Sequence, residues 1–147
     1  MPVTDADVAH VRDAYVEFNE RRATFGADDL TAYFRRFYDD DAVIENVEGF
    51  PLASSYEGLD GYHRWYEESY SPYEEVRWEI VGIDAIGERV VARTWVRGRP
   101  RGEPTELEVQ LGITYEMRGA RIGHVRVYLS HERAIEAARV TIGTNAE

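Results

Sequence analysis

Few side chains in this 147-residue chain could carry proton-transfer or metal chemistry from positions that the hydrophobic pattern turns inward. His63 is one of them. It shares a helical face with Leu59, Tyr62, Tyr66 and Tyr70, where a neutral imidazole can exchange protons near pH 7. The competing reading is a rim histidine paired with Glu67 one turn later. Tyr15 falls on the apolar stripe of the first helix, and Asn46 lies near the end of a short apolar strand, where an amide can orient water but cannot act as a base. The triplet Asp39-Asp40-Asp41 offers three adjacent carboxylates on a polar connection. It lacks the mixed oxygen-ligand spacing of a calcium loop, so no metal is expected. His124 and His131 belong to an outward strand phase and to a helix cap.

Composition removes other chemistries. Cysteine is absent, which rules out disulfides, thiolate metal sites and a cysteine nucleophile. With 17 Lys+Arg against 28 Asp+Glu, the net charge of -11 repels nucleic acid and anionic membrane alike. Every basic residue is arginine. The acidic N-terminal residues lack an apolar signal region, and no later stretch stays apolar long enough to span a bilayer, so a cytoplasmic protein is expected.

The elements that must position these residues follow from periodicity. Val8, Val11, Ala14, Tyr15 and Phe18 define a first helix capped at Thr4 or Asp5. A second helix opens at Asp28 and carries Leu30, Tyr33, Phe34, Phe37 and Tyr38, closing at the aspartate triplet. Ala42–Val47 reads as a strand ended by Gly49 and Pro51, and Tyr56-Glu57-Gly58 leads into a third, aromatic helix with Trp65 on its flank that stops at Pro72. Strands follow at Val76–Ile83, Val90–Val96, Leu107–Met117 and Ile122–Leu129, then a helix over Glu132–Arg139 capped by Ser130. The strongest signal is the alternation of Leu107, Val109, Leu111, Ile113, Tyr115 and Met117 with polar residues, continued by Val125, Val127 and Leu129 after a turn at Arg118-Gly119-Ala120-Arg121. A one-residue slip would bury Glu and Arg, so the apolar face is well determined. One α+β domain spanning 1–147 is expected.

In order and spacing, Phe37-Tyr38-Asp39-Asp40-Asp41-Ala42-Val43, the Tyr56-Glu57-Gly58 helix entry and the ending Arg126-Val127-Tyr128 resemble the SnoaL-like branch of the nuclear transport factor 2-like superfamily, over about Val8 to Ala138. The resemblance implies a cone: a curved antiparallel sheet wrapped around three helices, with a short C-terminal helix. It also implies that Tyr15 matches the position of a hydroxyl that stabilises an enolate oxygen in the steroid isomerases of this superfamily. Asn46 matches their catalytic aspartate, and an asparagine that holds the attacking water in the epoxide hydrolases. The carboxylates and arginine those hydrolases need would fall at about Thr94, Val96 and Val127, where all three charges are missing, so an epoxide hydrolase here would have an atypical site.

The expected function is therefore binding of an apolar small molecule in an interior pocket lined by Ile44, Tyr66, Val96, Leu111, Ile113, Tyr115, Val125, Val127 and Leu129. The catalytic form is proton transfer of isomerase, cyclase or dehydratase type on a polyketide- or terpenoid-like substrate, with Tyr15 as donor, Asn46 as anchor, His63 as acid or base, and no cofactor. The alternative is a non-catalytic dimerisation or interaction domain. Arg93, Trp95, Arg97, Glu106, Glu108, Gln110, Arg126 and Tyr128 share the outward phase, and arginine with aromatics there points to a homodimer through the outer sheet face.

Overall fold

A computed structural model describes residues 3–21, 24–48 and 55–140. Helix α1 (Asp5–Arg21) starts where the Thr4 hydroxyl accepts the Asp7 N–H at 3.2 Å and the Asp7 carboxylate accepts the Thr4 N–H at 3.0 Å. This reciprocal pairing satisfies two amide donors that a helix start leaves open. Helix α2 (Ala27–Phe37) buries Leu30, Tyr33, Phe34 and Phe37, as its stripe requires.

The second helix ends one residue earlier than its apolar stripe suggests. Strand β1 (Tyr38–Asn46) begins immediately after it, and Asp39, Asp40 and Asp41 lie inside that strand rather than on a connection. Pairing decides this, because β1 runs beside the C-terminal hairpin and the Asp39 carboxylate meets Arg118 there at 2.8 Å. The Asp41 amide at 3.1 Å, and then Arg118, hold the Asp39 carboxyl below its usual range. The expected end of this strand at Gly49 and Pro51 lies outside the described residues.

The chain continues through β2 (Ser55–Glu57), α3 (Gly58–Tyr70), β3 (Tyr73–Ile86), β4 (Arg89–Pro100), β5 (Leu107–Arg118), β6 (Arg121–Tyr128) and α4 (His131–Ala138). The six strands form one sheet in the order β2-β1-β6-β5-β4-β3. Four neighbouring pairs are antiparallel, as expected, and β1 and β6 run parallel. Register shifts at Ile80/Gly82 and Glu116/Met117 insert bulges, which bend strands and deepen their twist. The result is a curved, unclosed sheet with α1, α2 and α3 in its concavity, the expected α+β cone. Gly119, with φ of 64°, makes the tight β5–β6 turn.

On the convex side α4 covers part of the outward strand phase. Ser130 caps α4 by accepting the Arg133 N–H at 3.1 Å, and the helix folds back over β4, β5 and β6. Ala134 and Ala138 bury against Val91 and Tyr128, so Tyr128 belongs to a second small core instead of an open surface. Gln110 accepts the His131 N–H at 3.0 Å, and the His131 ring meets Trp95 edge-on at 6.1 Å. What α4 leaves uncovered is laced by ion pairs, among them Arg97 with Glu108 at 2.6 Å and Glu79 at 3.0 Å.

Candidate functional site

The apolar face of β5 and β6 runs from a sealed interior to an open mouth. Ile113, Tyr115, Val125 and Val127 are buried, whereas Leu107, Val109 and Leu129 are 48%, 45% and 44% exposed. The strands are longer than the helices that cover them, so their outer ends carry apolar side chains past the core. The pocket expected as one space is divided accordingly.

The deep part lies among Tyr15, Tyr33, Tyr38, Tyr62, Tyr70 and Tyr115, with Ile44, Ile113, Val125 and Val127 as its aliphatic wall. Its volume is about 40 Å³, room for water and nothing larger. Aromatic packing fills the rest: Tyr62 stands 5.1 Å from Phe34, 5.0 Å from Tyr38 and 5.1 Å from Trp65, ring centre to ring centre. Helix spacing on α1, α2 and α3 aims these rings at one point, because each element presents aromatics three or four residues apart.

The phenols bond to one another and to the backbone. Tyr15 and Tyr115 share a short hydroxyl contact, Tyr33 donates to the Ala14 carbonyl at 2.8 Å, and Tyr62 is bonded to Tyr38. The Trp78 indole donates to the Tyr70 hydroxyl. Burial pushes the Tyr15, Tyr33, Tyr62, Tyr70 and Tyr115 hydroxyls well up from the ordinary phenol range, and Tyr38 to about 12. Charge is disfavoured wherever water is excluded, so these groups stay protonated and act as hydrogen-bond donors, not as bases. The Tyr15–Tyr115 contact consumes one of the pair's two protons and leaves the other for a further acceptor. Tyr15→Phe should cost about 1–3 kcal/mol by stranding the Tyr115 hydroxyl. Urea unfolding of Tyr15→Phe/Tyr115→Phe should then fall short of the sum of the two single losses by about 1 kcal/mol; strict additivity would deny the coupling.

The mouth is larger, about 490 Å³, which falls within the roughly 300–1,000 Å³ typical of small-molecule sites. Val96, Leu107, Val109, Leu111 and Leu129 form its sheet wall, and Trp65, Ser69 and Glu68 reach it from α3. Asn46, buried at the end of β1 beside Val127, contributes an amide. Trp65, Tyr70, Trp78 and Val127 line both spaces, so they form the partition between the mouth and the phenol cluster.

Of the residues read from sequence, Tyr15, Ile44, Ile113, Tyr115 and Val125 thus come together at the deep cluster. Asn46, Val96, Leu111 and Leu129 come together at the mouth, and Val127 touches both. His63 and Tyr66 do not join them. The His63 Nε2 lies 2.9 Å from the Thr31 hydroxyl, between α3 and α2, rather than pairing with Glu67 or facing either space. Tyr66 accepts the Phe25 N–H at 3.0 Å and packs edge-on against that ring. One residue of phase, about 100° around the helix axis, explains both: the buried line of α3 passes through Tyr62, Trp65 and Tyr70, which puts His63 and Tyr66 toward α2 and its preceding loop. Trp65, Glu68, Tyr70, Tyr73 and Trp78 are among the lining residues that sequence reading missed as a site. The alternation of Val76, Trp78 and Ile80 on β3 was a signal for Trp78. Thr94, about where the resemblance would put a hydrolase carboxylate, is fully buried and donates to the Leu111 carbonyl at 2.9 Å.

Among the described residues no three His, Asp or Glu side chains are grouped to hold a metal, and no helix is long and apolar enough to cross a membrane.

A curved open sheet enclosing three helices around an apolar cavity is the architecture of the nuclear transport factor 2-like proteins, and this chain has that fold. It belongs to the SnoaL-like domain family, whose model matches residues 6–125. Among solved structures it is similar to TerC, co-crystallised with polyporic acid, with a TM-score of 0.70 at 14% identity over 92% of this chain and 100% of that one. A nuclear transport factor 2-like protein from Anabaena variabilis superposes with a TM-score of 0.68 at 11% identity over 88% and 94%. A protein from Jannaschia sp. described as a SnoaL-like polyketide cyclase gives 0.65 at 12% over 95% and 96%. At such identities the likeness carries the fold alone. No curated protein matches the chain by sequence.

Proposed function

We propose that the protein binds an apolar, ring-bearing small molecule of polyketide- or terpenoid-like character in the mouth cavity, without a cofactor. The observation that carries this reading is the open space of about 490 Å³ walled by half-exposed aliphatic and aromatic side chains. Leaving Leu107, Val109 and Leu129 in water costs roughly 25 cal/mol per Å² of apolar surface, which an apolar ligand recovers on binding. The co-crystallisation of TerC with polyporic acid supports the idea that this fold accommodates an organic ligand.

In its catalytic form the reading is proton-transfer chemistry of isomerase, cyclase or dehydratase type. Tyr15 and Tyr115 would stabilise negative charge developing on a ligand oxygen that displaces the partition, and Asn46 would anchor the outer end. His63, held by Thr31, takes no part. The filled deep cluster favours a second reading, a non-catalytic interaction domain whose tyrosines are simply core.

Titration with naphthylmethanol, followed by the fluorescence of Trp65 and Trp78, separates the two. Binding is expected in the wild type and should weaken by about tenfold or more in Leu111→Trp, which fills the mouth from a half-buried position. No binding to the wild type, or unchanged binding to Leu111→Trp, would remove the ligand reading. Homodimerisation would use the part of the outer sheet around Arg97, Glu106 and Glu108 that α4 leaves uncovered, and a monomeric mass by light scattering would exclude it.

A further inference from the structure

We propose that Glu68 makes the mouth cavity selective for ligands whose head group donates hydrogen bonds, an alcohol or a protonated amine on an apolar body, and excludes carboxylates. This rests on the ligand reading above. Among the described residues lining the mouth, Glu68 is the sole formally charged side chain. Trp65, Tyr70, Tyr73 and Trp78 line the same space, and their ring faces carry the negative end of the aromatic quadrupole. Such faces attract a cation or a donor and repel an anion. No arginine or histidine is present there to compensate a ligand carboxylate, which would shed its water beside a fixed charge of its own sign.

Glu68 is held in place for this role. Tyr56, only 1% exposed, donates to its Oε1 at 2.7 Å and orients the carboxylate from β2. Arg64 approaches Oε2 at 3.7 Å from outside the cavity, with its side chain 56% exposed and its guanidinium over the Tyr56 ring. The Glu68 side chain is itself 36% exposed, so solvent screens both partners, and Arg64 moderates the field of Glu68 without cancelling it. The net charge of -11 adds a background of the same sign.

The test compares naphthylmethanol, naphthylmethylamine and naphthoate, which share one ring body, by calorimetry at neutral pH and low salt. The alcohol and the amine should bind the wild type at least about tenfold more tightly than naphthoate. Glu68→Gln keeps an acceptor for the Tyr56 hydroxyl and should bring naphthoate close to the alcohol. Arg64→Gln, on the exposed side, should widen the gap instead. Equal binding of all three probes to the wild type, a gap that Glu68→Gln leaves in place, or a gap that Arg64→Gln leaves or narrows would overturn the inference while sparing the ligand reading. If none of the probes binds, both fall.

Discussion

Titrated upward from neutrality, the protein should keep nearly its full stability to about pH 9 and then unfold cooperatively by about pH 11. Tyr15, Tyr33, Tyr38, Tyr62, Tyr70 and Tyr115 are all buried with their ionisation pushed above the ordinary phenol range, chiefly by desolvation. In the unfolded chain each ionises near pH 10. Above that pH the unfolded state binds fewer protons than the folded one, so stability falls as pH rises. Below it both states are protonated and nothing is lost. Each phenol removes roughly 1 kcal/mol per pH unit, and six together cost several kcal/mol by about pH 11, comparable with a whole domain's stability of about 5–15 kcal/mol. Circular dichroism and the phenolate absorbance of these six residues, out of ten tyrosines in the chain, should therefore change together. Phenolate from more than the four tyrosines outside the cluster, appearing at full helicity, would mean that the cluster is open to water.

Gly112→Val is the second large effect. A Cβ at this position would stand 2.5 Å from the Ser130 carbonyl oxygen, 2.7 Å from the Ala134 Cβ and 3.0 Å from the His131 Cα. Two of those atoms are backbone, so neither side can turn away, and α4 must lift from the sheet. The expected loss is about 3 kcal/mol or more, read as a fall of roughly 10 °C in Tm. Tyr128 and Val91 would gain exposure with it, because Ala134 and Ala138 cover them. An unchanged Tm would show that α4 is not docked as described. Substitution at Gly119, where a Cβ would meet nothing within 4 Å and only the positive φ matters, should cost less.

These two positions mark what could and could not be read in advance. Gly112 sits in the outward phase of the alternating strand, and periodicity treats every outward residue alike. The return of α4 over that face is a long-range event that no local pattern encodes. Likewise, the tyrosines on α1, α2 and α3 were legible as apolar stripes, but their convergence into one hydroxyl cluster depends on how the three helices sit in the concavity. His63 illustrates the limit of helical phase. It stands one residue, about 100° of rotation, past the buried Tyr62, and that difference moves the imidazole from the cavity to the Thr31 hydroxyl. Trp65 was noted on the flank and proves to be part of the partition.

The amino-acid sequence alone determined the order of the helices and of every strand but the short β2, the apolar face from Leu107 to Leu129, the Ser130 cap and the lack of charge at Thr94, Val96 and Val127, while it left the first cap open between Thr4 and Asp5. Each follows from side-chain period or residue type, which act over a few residues. Tertiary structure decided the parallel pairing of β1 with β6, the early start of β1 at the aspartate triplet, the cover of α4 and the division of the pocket into a filled interior and an open mouth. Those depend on the relative lengths and curvature of sheet and helices: the sheet outruns its cover, and the aliphatic ends left in water are where a ligand can bind.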